Sequence, residues 1–198
     1  MPKNYLVLDF ETTGLDYKKE QVTEVGAIKY DEKFNEIASF HTYVKLHVEH
    51  GLSDFIKDYT GITEEMLVNG MDENQAMKAI SYMIDSETIV VAQYAPFDFA
   101  YLSKYHVYPS KYICTKTLTD IYEPHEKSGL GVTCERNGIV LENAHTAMGD
   151  VEATTELLRL RLRQGMGSYA NCITEQADRP HAFIPFFTSS VLNKDDLK

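Results

Sequence analysis

Asp9 and Glu11 stand two residues apart at the end of an apolar run, Tyr5-Leu6-Val7-Leu8, within the stretch Asp9-Phe10-Glu11-Thr12-Thr13-Gly14. Residues two apart on a strand share a face, so the two carboxylates project together while Phe10 points the other way. Close carboxylates repel one another unless a cation lies between them. A hard divalent ion with oxygen ligands, Mg²⁺ or Mn²⁺, suits the pair, and Thr12-Thr13-Gly14 turns the backbone where a substrate can approach it closely. This segment alone leaves a plainer reading open, an acidic strand end meeting solvent.

The elements that must hold these residues can be read along the chain. Gln21 to Tyr30 and Phe34 to Leu46 are rich in Val, Ile, Phe, Tyr and Thr around a polar Asp31-Glu32-Lys33, which predicts an antiparallel hairpin after the first strand. Ser53 to Tyr59 and Glu64 to Leu67 read as short helices meeting at a turn, and Asp72 to Asp85 as a surface helix with Ala76, Ile80, Met83 and Ile84 at helical spacing. Thr88 to Ala92 is wholly apolar after its first residue, as in a strand covered on both faces. Pro96 suits the first turn of a helix that also carries Asp98, and a second β-α unit is expected from Tyr112-Ile113-Cys114 onward. A short helix from Leu130 to Asn137 ends at Gly138. The last long helix runs from about Ala147 to Gln164, with Val151, Thr154, Leu158 and Leu162 as its inner stripe.

Composition bounds the class. With 198 residues, 43% hydrophobic and 25% charged, the chain fits one sizeable domain and a tail. We expect residues 1–166 to form the domain and 167–198 a Phe- and Pro-containing tail. Three Phe in that tail, Phe183, Phe186 and Phe187, are interrupted by prolines and cannot lie on a regular helix. They either cover an apolar patch of the domain or dock a replication partner or second subunit. No apolar run approaches membrane-spanning length and no signal-peptide core is present, so a cytoplasmic protein without membrane contact is expected. Cys114, Cys134 and Cys172 are odd in number and widely spaced, which argues against a disulfide framework or a zinc cluster. The net charge of −11 disfavours a broad grip on nucleic acid. It still permits an enzyme that handles a few nucleotides through metal ions, because ligand carboxylates count in that total without repelling the substrate.

Three separated segments then join. Asp9-Phe10-Glu11-Thr12-Thr13-Gly14-Leu15, Val91-Ala92-Gln93-Tyr94-Ala95-Pro96-Phe97-Asp98, and His145-Thr146-Ala147-Met148-Gly149-Asp150 resemble, in order, the three motifs of the DEDDh 3′-to-5′ exonucleases, the family of proofreading subunits. The resemblance covers roughly residues 4 to 164. It departs at Gln93-Tyr94, where the family usually carries His-Asn, a change that bears on substrate orientation more than on metal binding. The implied fold is α/β and ribonuclease-H-like: a mixed central sheet that starts with an antiparallel hairpin and continues with β-α units, with helices on both faces.

The resemblance implies Asp9, Glu11, Asp98 and Asp150 as ligands of two divalent ions, Mg²⁺ or Mn²⁺, with Asp9 bridging them. His145 is the implied general base, a role that suits an imidazole titrating near neutral pH. Thr12 and Leu15 are implied contacts of the terminal nucleotide, and Ile62 in the Gly61-Ile62-Thr63 turn is a further candidate. The expected function is metal-dependent hydrolysis of phosphodiester bonds from nucleic acid 3′ ends, single-stranded DNA first, with a polymerase or other replication protein as a possible partner. Two alternatives stay open: an RNA-directed member of the family, and a silent nucleic-acid-binding module that kept the fold.

Overall fold

Strand β1, Asn4–Thr12, divides its side chains between two cores, and the architecture follows from that division. In the computed structural model, which describes residues 4–198, Leu6, Leu8 and Phe10 enter one core while Val7 enters the other. The first three residues, counted above in the 1–166 unit, lie outside the described residues. β2, Val22–Tyr30, pairs antiparallel with β1, and β3, Glu36–Tyr43, antiparallel with β2. On the opposite side of β1, strands β4, Thr88–Ala92, and β5, Tyr112–Cys114, add in parallel, giving the order β3-β2-β1-β4-β5.

Parallel neighbours need crossovers, and the helices supply them. Between β3 and β4 run α1, Asp54–Thr60, α2, Glu64–Leu67, and α3, Glu73–Met83. Between β4 and β5 lies α4, Ala95–Ser103, and after β5 come α5, Thr115–Tyr122, α6, Leu130–Arg136, and α7, Ala147–Arg163. Ala76, Met77 and Ile80 of α3 and Phe99 and Leu102 of α4 cover one face of the sheet. Leu118 of α5 and Val151 and Leu158 of α7 cover the other. This is the mixed α/β sheet, helices on both faces, that the sequence leads one to expect. Ser53, Asp72 and Thr146 accept first-turn amides and fix where α1, α3 and α7 begin. No described helix is long and apolar enough to cross a membrane.

The hairpin differs at its edges. β3 starts at Glu36 rather than Phe34, because Phe34 adopts φ 64° in a turn closed by its amide on the Asp31 carbonyl at 3.0 Å. Its ring stacks on Tyr5, with centroids 5.1 Å apart. β3 ends at Tyr43 rather than Leu46, and Val44 instead makes a single bridge to Met71.

The start of α7 lies directly on β2 at Gly26, where an added Cβ would fall 2.7 Å from the Ala147 backbone carbonyl. Gly26→Ala therefore forces helix and strand apart and is expected to cost about 1–3 kcal/mol, as overpacking of a dense core does. A chemical denaturation midpoint equal to that of the parent protein would contradict that contact.

Beyond α7, Gly165 at φ 84° turns the chain, and a second, two-stranded parallel sheet forms from β6, Cys172–Glu175, and β7, Ser190–Asn193. The sequence reading did not anticipate these strands. Ile173 is buried in the first core, and Phe183 packs against that core with its ring edge-on to Tyr17. Phe186 is 76% exposed. The buried carboxylate of Asp120 receives Lys116 at 3.0 Å from its own helix and, from residues 167–198, Thr174 and Lys194, each at 2.5 Å. Cys114, Cys134 and Cys172 are free and buried.

Candidate functional site

The alternation of β1 also decides where its carboxylates point. Asp9 and Glu11 share the face of Val7, which is the face that α7 covers, and Asp150 lies in the first turn of α7. One carboxylate oxygen from each of Asp9, Glu11 and Asp150 lies within 4.8 Å of the others. Asp98 stands just outside this group. It is buried at the start of α4, and its Oδ1 accepts the Phe10 amide at 3.2 Å. That amide is available because the β1–β4 ladder stops at Val7 and Val91, where the two strands part.

These four acids and His145 line one cleft of about 590 Å³, together with Thr12, Leu15, Phe55, Tyr59, Gln93 and Tyr94. Burial pushes the Asp9 carboxyl well above the usual range, with Asp98, Asp150, Glu11 and Glu24 adding repulsion. Burial, then Asp150 and Glu24, raise Glu11 to about 8. Asp98 is raised by burial against two backbone hydrogen bonds, and Asp150 by burial against the neighbouring His145. Crowded carboxylates held this far from their ordinary values need either protons or cations. The donor set is carboxylate oxygen throughout, which fits Mg²⁺ or Mn²⁺ and not a soft metal.

His145 precedes the Thr146 cap in a left-handed conformation, φ 64°, with its amide 3.4 Å from Asp150 Oδ1. Its ring lies 3.9 Å, centroid to centroid, from that of Tyr59. Thr12 is buried at the cleft wall, its hydroxyl on the Gly14 carbonyl at 2.7 Å, and Tyr101 donates to the same carbonyl at 2.6 Å. Leu15, 84% exposed, stands at the rim. The structure does not bring Ile62 to the cleft. It is 2% exposed and packs with Leu52 and Leu67 beneath the α1–α2 turn, because Gly61 at φ 73° turns that side chain inward.

Two features escaped the sequence reading, and a third residue it had singled out, Gln93, faces away from the acids. Phe55 and Tyr59 of α1 stack with centroids 5.6 Å apart and face the cleft. Their i, i+4 spacing on a short helix was the available signal. Glu24 on β2 is paired with Glu11 across the ladder, yet it does not join the acidic group. One of its oxygens meets His41 Nε2 at 2.6 Å and the other accepts the Ala147 amide at 3.1 Å, so it anchors the start of α7. Gln93 turns from the cleft floor toward Ser128, to whose carbonyl its amide donates at 3.0 Å.

Comparison with known proteins gives the family and the fold. The exonuclease family model RNase_T matches residues 6–158. The chain is 30% identical over 169 residues to the PolC-type DNA polymerase III of Streptococcus suis, covering 82% of this chain and 11% of that protein. It is 30% identical over 161 residues to the 3′-5′ exonuclease DinG of Staphylococcus saprophyticus, covering 78% and 17%. The chain thus spans about a tenth of the length of the polymerases it matches. Among solved structures, the nuclease domain of 3′hExo, a DEDDh family member bound to rAMP, superposes with a TM-score of 0.70 at 19% identity, covering 83% of this chain and 94% of that one. E. coli exonuclease I in complex with a dT13 oligonucleotide gives 0.69 at 20% identity, covering 84% and 42%. By family match, the chain belongs to the RNase_T exonuclease family, with the fold of the nuclease domains it superposes on.

Proposed function

We propose that this chain hydrolyses single-stranded DNA from its 3′ end, one nucleoside monophosphate at a time, by a two-metal-ion mechanism. The observation that carries the reading is the convergence of Asp9, Glu11 and Asp150 beneath an apolar rim, with Asp98 and His145 in the same cleft. Asp9, Glu11, Asp98 and Asp150 would hold two divalent ions, which when bound polarise the phosphate and stabilise charge on the attacking and leaving oxygens. An imidazole nitrogen of His145 accepts the proton of the attacking water. The Tyr59 ring and the hydrogen bond from the His145 amide to Asp150 keep that imidazole at the mouth of the cleft. Leu15 and Phe55 offer apolar faces to the terminal base, and the buried Thr12 wall limits how deep the sugar can travel. The PolC and DinG relatives extend the proposal to a cytoplasmic role in DNA replication or repair beside a polymerase.

End-labelled DNA and RNA strands of one sequence, incubated with Mg²⁺, test the reading directly. Stepwise shortening from the 3′ end of DNA, with RNA degraded more slowly, is the expected result. Shortening from the 5′ end, or none with either strand, would overturn it.

The acidic surface adds a quantitative expectation. A chain at −11 is not built to hold a long phosphate track, so two or three neutralised phosphates should set the salt dependence. On single strands that corresponds to a slope of log affinity against log salt of roughly −1.5 to −2. Fluorescence anisotropy of a strand with a non-hydrolysable terminal linkage, in Ca²⁺ across a salt series, measures it, and a slope steeper than about −4 would indicate an extended basic groove.

A further inference from the structure

Beside the cleft lies a second hollow, which the three motifs enter only through Tyr94. Tyr94 lines both cavities, so one ring forms the wall between them. The far side of the hollow comes from residues 167–198. Lys116, Lys194 and Arg179 face it, against the carboxylates of Asp120 and Glu175. Both lysines share the single carboxylate of Asp120, so its charge cannot neutralise the pair. Glu175 keeps its charge in the lining while accepting the His181 amide at 2.8 Å. Arg179 projects from a turn closed by its own amide on the Gln176 carbonyl, and its side chain is 81% exposed. Three cations thus face two carboxylates in the lining, with the exposed Asp178 carboxylate 4.0 Å from Arg179 Nε, on a protein that is strongly acidic as a whole.

The same segment fixes the dividing wall. His181 Nε2 lies 2.8 Å from the Thr174 carbonyl, which can only accept, so Nε2 carries the proton. In the neutral ring Nδ1 then accepts the Tyr94 hydroxyl, 2.6 Å away. Lys116 Nζ lies 5.9 Å from the centroid of the Tyr94 ring, and the two rings, Tyr94 and His181, sit 5.4 Å apart. Tyr94 is therefore a positioned aromatic face, open to solvent over about a third of its surface, with cations behind it.

We infer that this hollow binds the backbone phosphates of the substrate strand on the 5′ side of the scissile bond, with Arg179, Lys116 and Lys194 as counter-charges and Tyr94 as a stacking face. The inference rests on the proposed nuclease reading for the direction of the strand. The chemistry is that of single-strand grooves, where cations track phosphates and aromatic rings take bases without regard to sequence. Tyr94 in place of the family's Asn supplies the ring, and the unanticipated β6–β7 segment supplies Arg179 and Lys194.

The test compares an octathymidylate with a thymidine dinucleotide, both with a phosphorothioate terminal linkage, by anisotropy in Ca²⁺. The native chain is expected to prefer the longer strand. The double variant Arg179→Glu, Lys116→Gln should lose about tenfold of that preference and flatten the salt slope by roughly 0.7 to 1.4, as one or two phosphate contacts disappear. Arg179→Lys, which keeps the charge, should retain most of the preference. Because Arg179 is at the surface, Arg179→Glu alone should still melt like the native chain and lose about half of the effect on a logarithmic scale. An absent length preference in the native chain, or one that survives both charge-changing variants, overturns the inference. Hydrolysis of unmodified octathymidylate and dinucleotide in Mn²⁺, measured in parallel, separates the two claims. Length-dependent binding through Arg179 without any cleavage removes the nuclease reading alone, and octathymidylate cleavage as indifferent to Arg179→Glu as dinucleotide cleavage removes the hollow alone.

Discussion

Asp9→Ala is expected to reduce turnover to background, whereas His145→Ala should keep metal binding and lose about 10²–10⁴ in rate. The difference follows from where each side chain stands. Asp9 lies on the sheet with Glu11 and Asp150 within reach of one ion, so its loss dismantles the group that would bind the metals. His145 belongs to the loop ahead of α7 and touches that group only through its amide on Asp150, a bond that alanine keeps. The two variants therefore separate under a metal titration followed by melting temperature. His145→Ala should be stabilised by Mn²⁺ as the native chain is, and Asp9→Ala should not. Native-like pH–rate behaviour in His145→Ala would show that the imidazole does not take the proton.

Without metal, the folded protein should become less stable as pH rises from about 4 to about 8. Asp9, Glu11, Asp98 and Asp150 all have carboxyls raised by burial and crowding, Glu11 to about 8. Between the unfolded value near 4 and these raised values, the folded chain holds protons that the unfolded chain has released. The stabilisation is fully present below about pH 4 and is lost as pH climbs through the folded values. Divalent ions replace those protons, so the gain from metal should be largest at high pH and shrink on acidification. At about 100 times the dissociation constant, Mn²⁺ should add roughly 2.7 kcal/mol, or about 5–10 °C in melting temperature for a chain of this size. Asp9→Asn in chelator should recover part of that gain near pH 8. A metal-free melting temperature that is level from pH 5 to 8, combined with indifference to Mn²⁺, would mean that the acids are not crowded as described.

Much of this site is legible in the sequence, because its parts are local. The i, i+2 spacing of Asp9 and Glu11, the proline-led turn before Asp98, and the five-residue interval from His145 to Asp150 each sit at the end of an element whose periodicity is plain. What could not be read depends on distant packing. Phe55 and Tyr59 become a cleft wall only when α1 folds over β1. Glu24 resembles any strand carboxylate until the start of α7 arrives above it. Ile62 follows a motif-like turn, and only the left-handed Gly61 sends its side chain into the interior. β6 and β7 are four residues each and pair in parallel across a long irregular loop, so no short-range pattern marks them.

The parting of β1 from β4 bears on how mutational scans of this fold should be interpreted. Asp98 occupies the notch that opens there and also pairs the buried Phe10 amide that the ladder leaves over. A scan that scores survival would assign alanine at position 98 one number for two separate losses, a proposed metal-binding carboxylate and a backbone partner. Asparagine retains an acceptor for the amide while removing the charge. The gap between the alanine and asparagine scores at position 98 would therefore read the structural share by itself, and any single-substitution map that lacks the pair will overstate how much of that position belongs to chemistry.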